Sequence, residues 1–432
     1  MTNRLTKAAE FAAEHMNDDV HKLLLNRKKW TEVDIDLAVE CIESRKKLKG
    51  KVNQWYVDES LVFPSKLSAE QCSSSLTAEY KSNLAERIAY EKTEWTLADL
   101  TGGMGVDSWF FSMKAKEVMY CEMREELCTA ARYNFEKLGV ENIRICNRAV
   151  VPDADTGNKG GRVSELLSEF KPDIVYIDPA RRGEGGRKVF LIEDCTPDIL
   201  KLKEDIFKHS RHILLKLSPM ADINIVTESL GKSCREVHIT AAGGECKELL
   251  IWMDREWEGE YKITAVELEE GTKNQSLTFF PSKEREAGFI PALPESPESL
   301  KGKWLFEPGK ALMKSGGFNL ISQKYNISKL GKSTHYYILE HTESAEYLSG
   351  LGKVYRIKEC LNLDKRSIKD AGRRYPHSEV TARNIPMDTE TLRKKLGVSS
   401  GDDAHIFGLK CDSLGNLLFI TERCFISSGV QV

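Results

Sequence analysis

From Thr96 onward, short apolar runs alternate with longer helical segments, and few architectures are compatible with that alternation. The candidate strands are WTLADL (95–100), EVMYCE (117–122), IRICN (143–147), DIVYID (173–178), HILLKL (212–217), EVHIT (236–240) and ELLIWM (248–253). Helical patterns fall between them, among them 125–138 and 197–208. Short apolar runs separated by helices are strands covered on both faces. The pattern therefore predicts an α/β fold built on a doubly wound, largely parallel sheet. Only AAGGECK separates the last two runs, which predicts an antiparallel hairpin at the sheet edge.

The flanks read differently. In residues 1–60, Leu5, Ala8, Ala9, Ala12 and Ala13 recur at intervals of three and four, as do Val33, Ile35, Leu37, Ala38 and Ile42 less regularly, which predicts an N-terminal helical subdomain. A second helical stretch is expected to begin near Ser68, where Ser68 and Gln71 fit a capping box, and to run through Tyr80, Leu84 and Ile88. Near residue 280 the composition shifts, and PALPESPESLKGK (291–303) reads as a linker or as loops around a small module. Beyond Lys353 a compact α+β tail follows: VYRIKEC (354–360), the helical TLRKKL (391–396), and AHIFGLKCDSLGNLLFI (404–420) as a hairpin turning at 413–416. The expected divisions are 1–70, 71–275, 276–350 and 351–432.

Hydrophobic residues make up 41% of the 432 and charged ones 30%, which is ordinary for a soluble chain. No apolar run approaches the roughly 20 residues of a membrane helix, and MTNRLTKAAEFAAEHMNDDV lacks a signal-peptide apolar core, so a cytoplasmic protein without a membrane partner is expected. The eleven cysteines form no CxxC pair and no zinc-spaced cluster, so they read as reduced thiols, and no metal site is expected. The net charge of -3 argues against a uniformly basic nucleic-acid binder. Residues 353–383 nevertheless carry nine Lys/Arg against four Asp/Glu, which is either a solvated face or a nucleic-acid contact surface.

Chemistry concentrates at the ends of the strands. In LADLTGGMGVD (97–107), an apolar strand runs into a turn where Gly102, Gly103 and Gly105 remove every side chain that would keep a ligand from the backbone. Asp99 stands at the strand end, where a carboxylate reaches polar ligand atoms. The next strand ends in Glu122, seventeen residues beyond Gly105, a position from which an acid can accept hydrogen bonds from both hydroxyls of a ribose. The third ends at Cys146, Asn147 and Arg148, where an amide or the backbone could read an adenine edge. The fourth ends in Asp178-Pro179-Ala180-Arg181-Arg182, and its proline sits where the ladder stops, leaving the preceding carbonyls free for a ligand.

These elements, in this order, resemble the class I S-adenosylmethionine-dependent methyltransferases. DLTGGMGVD matches their cofactor motif, which implies that Asp99, Thr101, Gly102, Gly103, Gly105 and Asp107 hold S-adenosyl-L-methionine. Glu122 then takes the ribose, with Asn147, Arg148 and Asp178 completing the cofactor site. DPAR looks like the (N/D)PP(Y/F) or DPPR motif of enzymes that methylate nucleic-acid bases. Ala180 departs from it where a second proline is usual, and Thr101 replaces the first glycine of GxGxG. The flanking QCSSSLTAEYKSNLAERIA (71–89), FEPGKALMKSGGFNLIS (306–322) and ARNIPM with LRKKLGV (382–398) resemble a bacterial group that joins this core to a small ferredoxin-like piece and a C-terminal THUMP-like domain. THUMP domains bind RNA, so the resemblance implies a tRNA or rRNA partner.

The implied function is methyl transfer to an exocyclic or ring nitrogen of an RNA base. Asp178 and the Pro179 carbonyl would accept the acceptor's hydrogens, while Arg181 or Arg182 would hold a phosphate. Methyl transfer from a sulfonium needs no metal, only a near-attack arrangement. A ring-carbon acceptor would need a cysteine nucleophile, and Cys195 reads as structural. Gln71 and residues 73–75 lie where several methyltransferases place a lid over the cofactor, or they merely start a helix. Lys216 in KLSP (216–219) would wall the acceptor pocket or be a solvated strand-end charge. Three alternatives stand: an RNA-binding protein with an inactive core, a methyltransferase of proteins or small molecules, and a nicotinamide-dependent dehydrogenase. The last is disfavoured because GGMGVD lacks GxGxxG spacing.

Overall fold

A computed structural model of the chain describes residues 2–155, 161–181, 192–271 and 274–423. These form two compact units. One runs to Val237 and includes Glu248–Glu260; the other comprises His238–Lys247 and the chain from Tyr261.

The strands of the first unit are β1 (Thr96–Asp99), β2 (Glu117–Glu122), β3 (Ile143–Asn147), β4 (Ile174–Ile177) and β5 (His212–Leu217). β6 (Cys234–Ala242) and β7 (Glu245–Asp254) are neighbours in the sheet, and the tip of their hairpin lies in the second unit. The order across the unit is β7-β5-β4-β1-β2-β3. β1 pairs in parallel with β2 and β4, as do β2 with β3 and β4 with β5, whereas β7 runs antiparallel to β5. This is the doubly wound α/β sheet expected from the sequence. Parallel strands need crossovers that cover both faces. Accordingly Leu97, Val118, Ile174, Tyr176, Leu214 and Leu250 are buried, packed with Leu84, Ala85 and Ile88 of the helix that precedes β1.

The N-terminal helices α1 (Thr2–Glu14), α2 (Ile35–Leu48) and α3 (Lys66–Gln71) bury into this same unit. Trp55, stacked on Phe63 and 5.6 Å from Trp109, shares a core with Met104 and Val106 of the glycine turn. The buried Arg45 guanidinium donates to the carbonyls of Tyr56, Asp58 and Leu61, so the loop leading to Phe63 has its backbone acceptors satisfied internally.

The capping box expected at Ser68 is not where a helix begins. α3 is capped by Ser65, whose hydroxyl accepts from Ser68 N, and Ser68 lies inside it. The long helix α4 (Ser75–Ile88) starts after Ser74, whose hydroxyl accepts from Thr77 N. Lys51 decides the break between them. Its ammonium donates to the carbonyls of Ala69 and Glu70, consuming acceptors that a continuous helix would need. α4 is followed across β1 by α5 (Val106–Ser112), and α6 (Glu125–Lys137) follows β2.

In the second unit β8 (Lys262–Leu268) and β9 (Ser276–Phe279) pair antiparallel. A further sheet there contains β10 (Trp304–Pro308), β11 (Tyr337–Leu339), β12 (Gly352–Asn362), β13 (His377–Arg383), β14 (Ser399–Cys411) and β15 (Gly415–Arg423). Their order is β11-β10-β12-β15-β14-β13. β14 and β15 form the expected C-terminal hairpin. The helix α7 (Lys365–Arg374) buries Ile368 and Ala371 against this unit and exposes Lys365, Arg366, Lys369 and Arg373. Among the described residues no helix is long and apolar enough to cross a membrane, and the cysteines are reduced thiols.

Candidate active site

The turn after β1 closes on itself through Asp99. This carboxylate is only 1% exposed, and its two oxygens accept from Thr101 N at 3.0 Å and from the Ser108 hydroxyl at 2.5 Å. The next residues press against β2. Gly102 N donates to the Cys121 carbonyl, and a Cβ on Gly102 would stand 2.2 Å from the Tyr120 ring, so only glycine fits there. The Tyr120 hydroxyl donates to the Gly103 carbonyl at 2.6 Å. Gly105 adopts a φ of 87° to open α5, a left-handed conformation that side chains disfavour.

Glu122, at the end of β2, reaches across to this turn. Its carboxylate accepts from Gly103 N at 3.0 Å and from Arg124 N at 2.9 Å. Asn147 is exposed and donates to the Glu122 main-chain carbonyl at 2.9 Å, bringing the end of β3 alongside. Arg148 is exposed one residue past β3, and among the described residues it makes no hydrogen bond to the turn.

Thr101 joins this half to the end of β4. Its hydroxyl accepts from Asp178 N at 2.7 Å. Pro179 is buried, while Asp178 keeps 35% of its side chain exposed. The Arg181 backbone pairs with Cys195. The Arg181 side chain, Arg182 and the GEGG that follows lie outside the described residues.

Lys216 is not the solvated strand-end charge that was one of its two readings. Parallel pairing sets Ile177 opposite Leu215, so the following Asp178 and Lys216 meet, with Nζ 2.5 Å from Asp178 Oδ2 and the lysine side chain 13% exposed. Burial opposes the ammonium, but Asp178, Asp107 and Glu248 together hold its pKa above the ordinary lysine range.

Behind this pair lies a polar cluster that sequence reasoning missed. Lys81 of α4 is fully buried and donates to Glu248 at 2.9 Å and to the Ser73 hydroxyl at 3.0 Å. Asp107 Oδ2 accepts from Ser73 and from the Tyr176 hydroxyl at 2.9 and 2.8 Å, so Ser73 belongs to the cluster rather than to a helix cap. Asp107 Oδ1, 3.3 Å from Lys81 Nζ, is buried and, among the described residues, accepts no hydrogen bond. Burial pushes Asp107 up, yet Lys81 and Lys216 outweigh it and its carboxyl sits below the usual range; for Glu248 burial wins and its pKa is raised. One signal was legible. Lys81 falls on the stripe of Thr77, Ala78, Leu84 and Ala85 that helical spacing buries.

Burial likewise raises Asp99 to about 7, against the hydrogen bonds from Ser108 and Thr101. An unfolded-chain carboxyl titrates near 3.8, so the folded protein holds the extra proton between the two values. Asp99 therefore contributes most stability below about pH 4 and loses it as pH rises through 7, a swing of up to ~4 kcal/mol. Asp99→Asn, which keeps the shape of the protonated acid, should flatten urea-unfolding stability over that window. An unchanged slope would remove Asp99 as its source.

Among the described residues no group of His, Cys, Asp and Glu is placed to hold a metal. Residues 304–344 match the ferredoxin-like domain family and residues 352–423 the THUMP domain-like family. A solved structure described as a "putative methyltransferase" from Porphyromonas gingivalis W83 matches with a TM-score of 0.82 and 27% identity, covering 97% of this chain and 98% of that chain. The chain thus joins the ferredoxin-like and THUMP-like domains that the resemblance implied, in a fold shared with that protein along nearly its whole length. Looser likenesses include an rRNA methylase from Streptococcus thermophilus (TM-score 0.27, 13% identity, 40% of this chain and 93% of that chain). Another is a putative RNA methyltransferase from Pyrococcus horikoshii (TM-score 0.30, 16% identity, 45% of this chain and 92% of that chain). At such scores they bear on nothing further. No curated protein matches the chain.

Proposed function

We propose that this chain is a methyltransferase that uses S-adenosyl-L-methionine to methylate a nitrogen of an RNA base, in tRNA or rRNA. The observation that carries the reading is the chain of contacts from Glu122 through the Gly102–Gly103 backbone and Thr101 to Asp178, along which a nucleoside and an acceptor would lie side by side. The residues present fit the cofactor. Among the described residues Asp107 Oδ1 is a buried acceptor that receives no hydrogen bond, with only the Lys81 ammonium 3.3 Å away. Glu122 would accept from the ribose hydroxyls, Asp107 Oδ1 would take the α-ammonium, and Asn147 and Arg148 would border the adenine. When bound, S-adenosylmethionine supplies an electrophilic methyl group on a sulfonium.

Asp178 does the positioning on the acceptor side. Among the described residues its Oδ1 has no partner, so it is available to accept an N–H and, with the Pro179 carbonyl, to aim a nitrogen lone pair. Arg181 would hold a phosphate. RNA is supported by the THUMP-like match and by the exposed cations of α7, which favour a polyanion. A cytoplasmic location accords with that substrate.

Calorimetry tests the cofactor half, with expected binding of S-adenosylmethionine and none of NAD. The reverse would sink the reading. Mass spectrometry of nucleosides from total tRNA and rRNA of a deletion strain tests the other half, with the loss of one methylated base expected. An unchanged profile would move the acceptor to protein or a small molecule.

A further inference from the structure

We propose, resting on the reading above, that the acceptor is a ring N–H flanked by a carbonyl, the lactam edge of guanine (N1–H beside C6=O) or uracil (N3–H beside its carbonyls), and that Lys216 selects it. At the strand ends the structure presents an acceptor and a donor side by side. Among the described residues Asp178 Oδ1 accepts no hydrogen bond, and Lys216, with three N–H groups, spends one on Asp178 Oδ2 at 2.5 Å. That pairing complements adjacent N–H and C=O groups. Neutral adenine and cytosine offer no ring N–H to such an edge.

The charge argues the same way. Moving a methyl onto an exocyclic amine leaves positive charge on nitrogen until a proton departs, and an ammonium on the neighbouring atom opposes that charge. A lactam behaves in the opposite sense. Its N–H bond breaks toward Asp178 Oδ1, which takes the proton and later passes it to water. The electron pair stays on the ring, with negative charge spread onto the carbonyl oxygen, where the Lys216 ammonium donates a hydrogen bond. That nitrogen pair forms the new N–C bond as the C–S pair of the methyl donor returns to sulfur. Lys216 keeps its proton throughout. The carboxylates of Asp107 and Glu248 behind it hold it in the ammonium form.

The experiment incubates the purified protein with methyl-tritiated S-adenosylmethionine and total RNA from a deletion strain, then digests the RNA to nucleosides. Label is expected in N1-methylguanosine or N3-methyluridine. Label in an exocyclic-amine product such as N6-methyladenosine or N2-methylguanosine overturns this inference and leaves the proposed function standing. Label on ribose, or none in RNA, overturns both. Lys216→Met should lower kcat by about 10²–10³-fold with cofactor affinity spared, and Lys216→Arg should recover part of it. The deficit should shrink as pH rises and the base supplies its own anion; a lysine with a merely structural role would leave the pH profile unmoved, and that result refutes the assignment. Binding gives a readout independent of turnover. By NMR titration the wild type should prefer GMP or UMP over AMP and Lys216→Met should lose that preference, whereas an equal response in both proteins overturns the proposal. Should Lys216→Met fail to fold, the position of the label in the wild-type reaction decides alone.

Discussion

Asp178→Ala is expected to lower methyl transfer by about 10²–10⁴-fold, the range over which a positioned proton acceptor contributes, while leaving S-adenosylmethionine affinity where it was. The separation follows from how Asp178 is held. Its tie to the glycine turn runs through its main-chain N–H to the Thr101 hydroxyl, and alanine keeps that bond. Only the side chain faces the acceptor and Lys216. Removing it takes away the proton acceptor and leaves the Lys216 ammonium answered by the carboxylates of Asp107 and Glu248. Asp178→Asn is the informative companion, since it restores an oxygen acceptor without the charge. It should orient an N–H but take up no proton, so its turnover should fall nearly as far. Kinetics with calorimetry on both variants check this. Turnover surviving in Asp178→Ala would show that the acceptor lies elsewhere.

The strands that position this acid were legible for a physical reason. Ile174–Ile177 and Leu97–Ala98 are buried on both faces of a parallel sheet, so their sequence is continuously apolar and bounded by polar turns. Glycine at 102 was legible as a residue type, although what demands it is the Tyr120 ring of the next strand. What failed was what depends on distant partners. A capping signal is local, but the break between α3 and α4 is set by Lys51, some twenty residues upstream, bonding the carbonyls that end α3. Likewise nothing near Lys216 in the sequence announces Asp178, because parallel register brings them together across a whole crossover. Asp99 reads from sequence as a carboxylate offered to ligand, yet both its oxygens are engaged in folding the turn.

The longest of these ties leads to the largest expected loss of stability. Lys81 and Glu248 are 167 residues apart and buried, joining the helix before β1 to β7. Lys81→Met should cost about 3–5 kcal/mol, because it strands the Glu248 carboxylate, and in part Asp107, without their cation. Its pH dependence follows. Burial already raises Glu248, and without Lys81 to oppose it the folded-state value climbs further while the unfolded one stays put. The variant should therefore be least unstable in acid and lose stability as pH rises through that value. Lys81→Met/Glu248→Leu should recover most of the loss, since replacing a buried pair with apolar groups of similar size is often neutral. A double-mutant cycle by urea unfolding reads the coupling directly, and single variants within about 0.5 kcal/mol of wild type would refute it. Asp107 retains Ser73 and Tyr176 in the double variant but not the field of Lys81. Stability should thus return without the full affinity for S-adenosylmethionine, which separates the role of this cluster in holding the sheet from its role in presenting Asp107 to the cofactor.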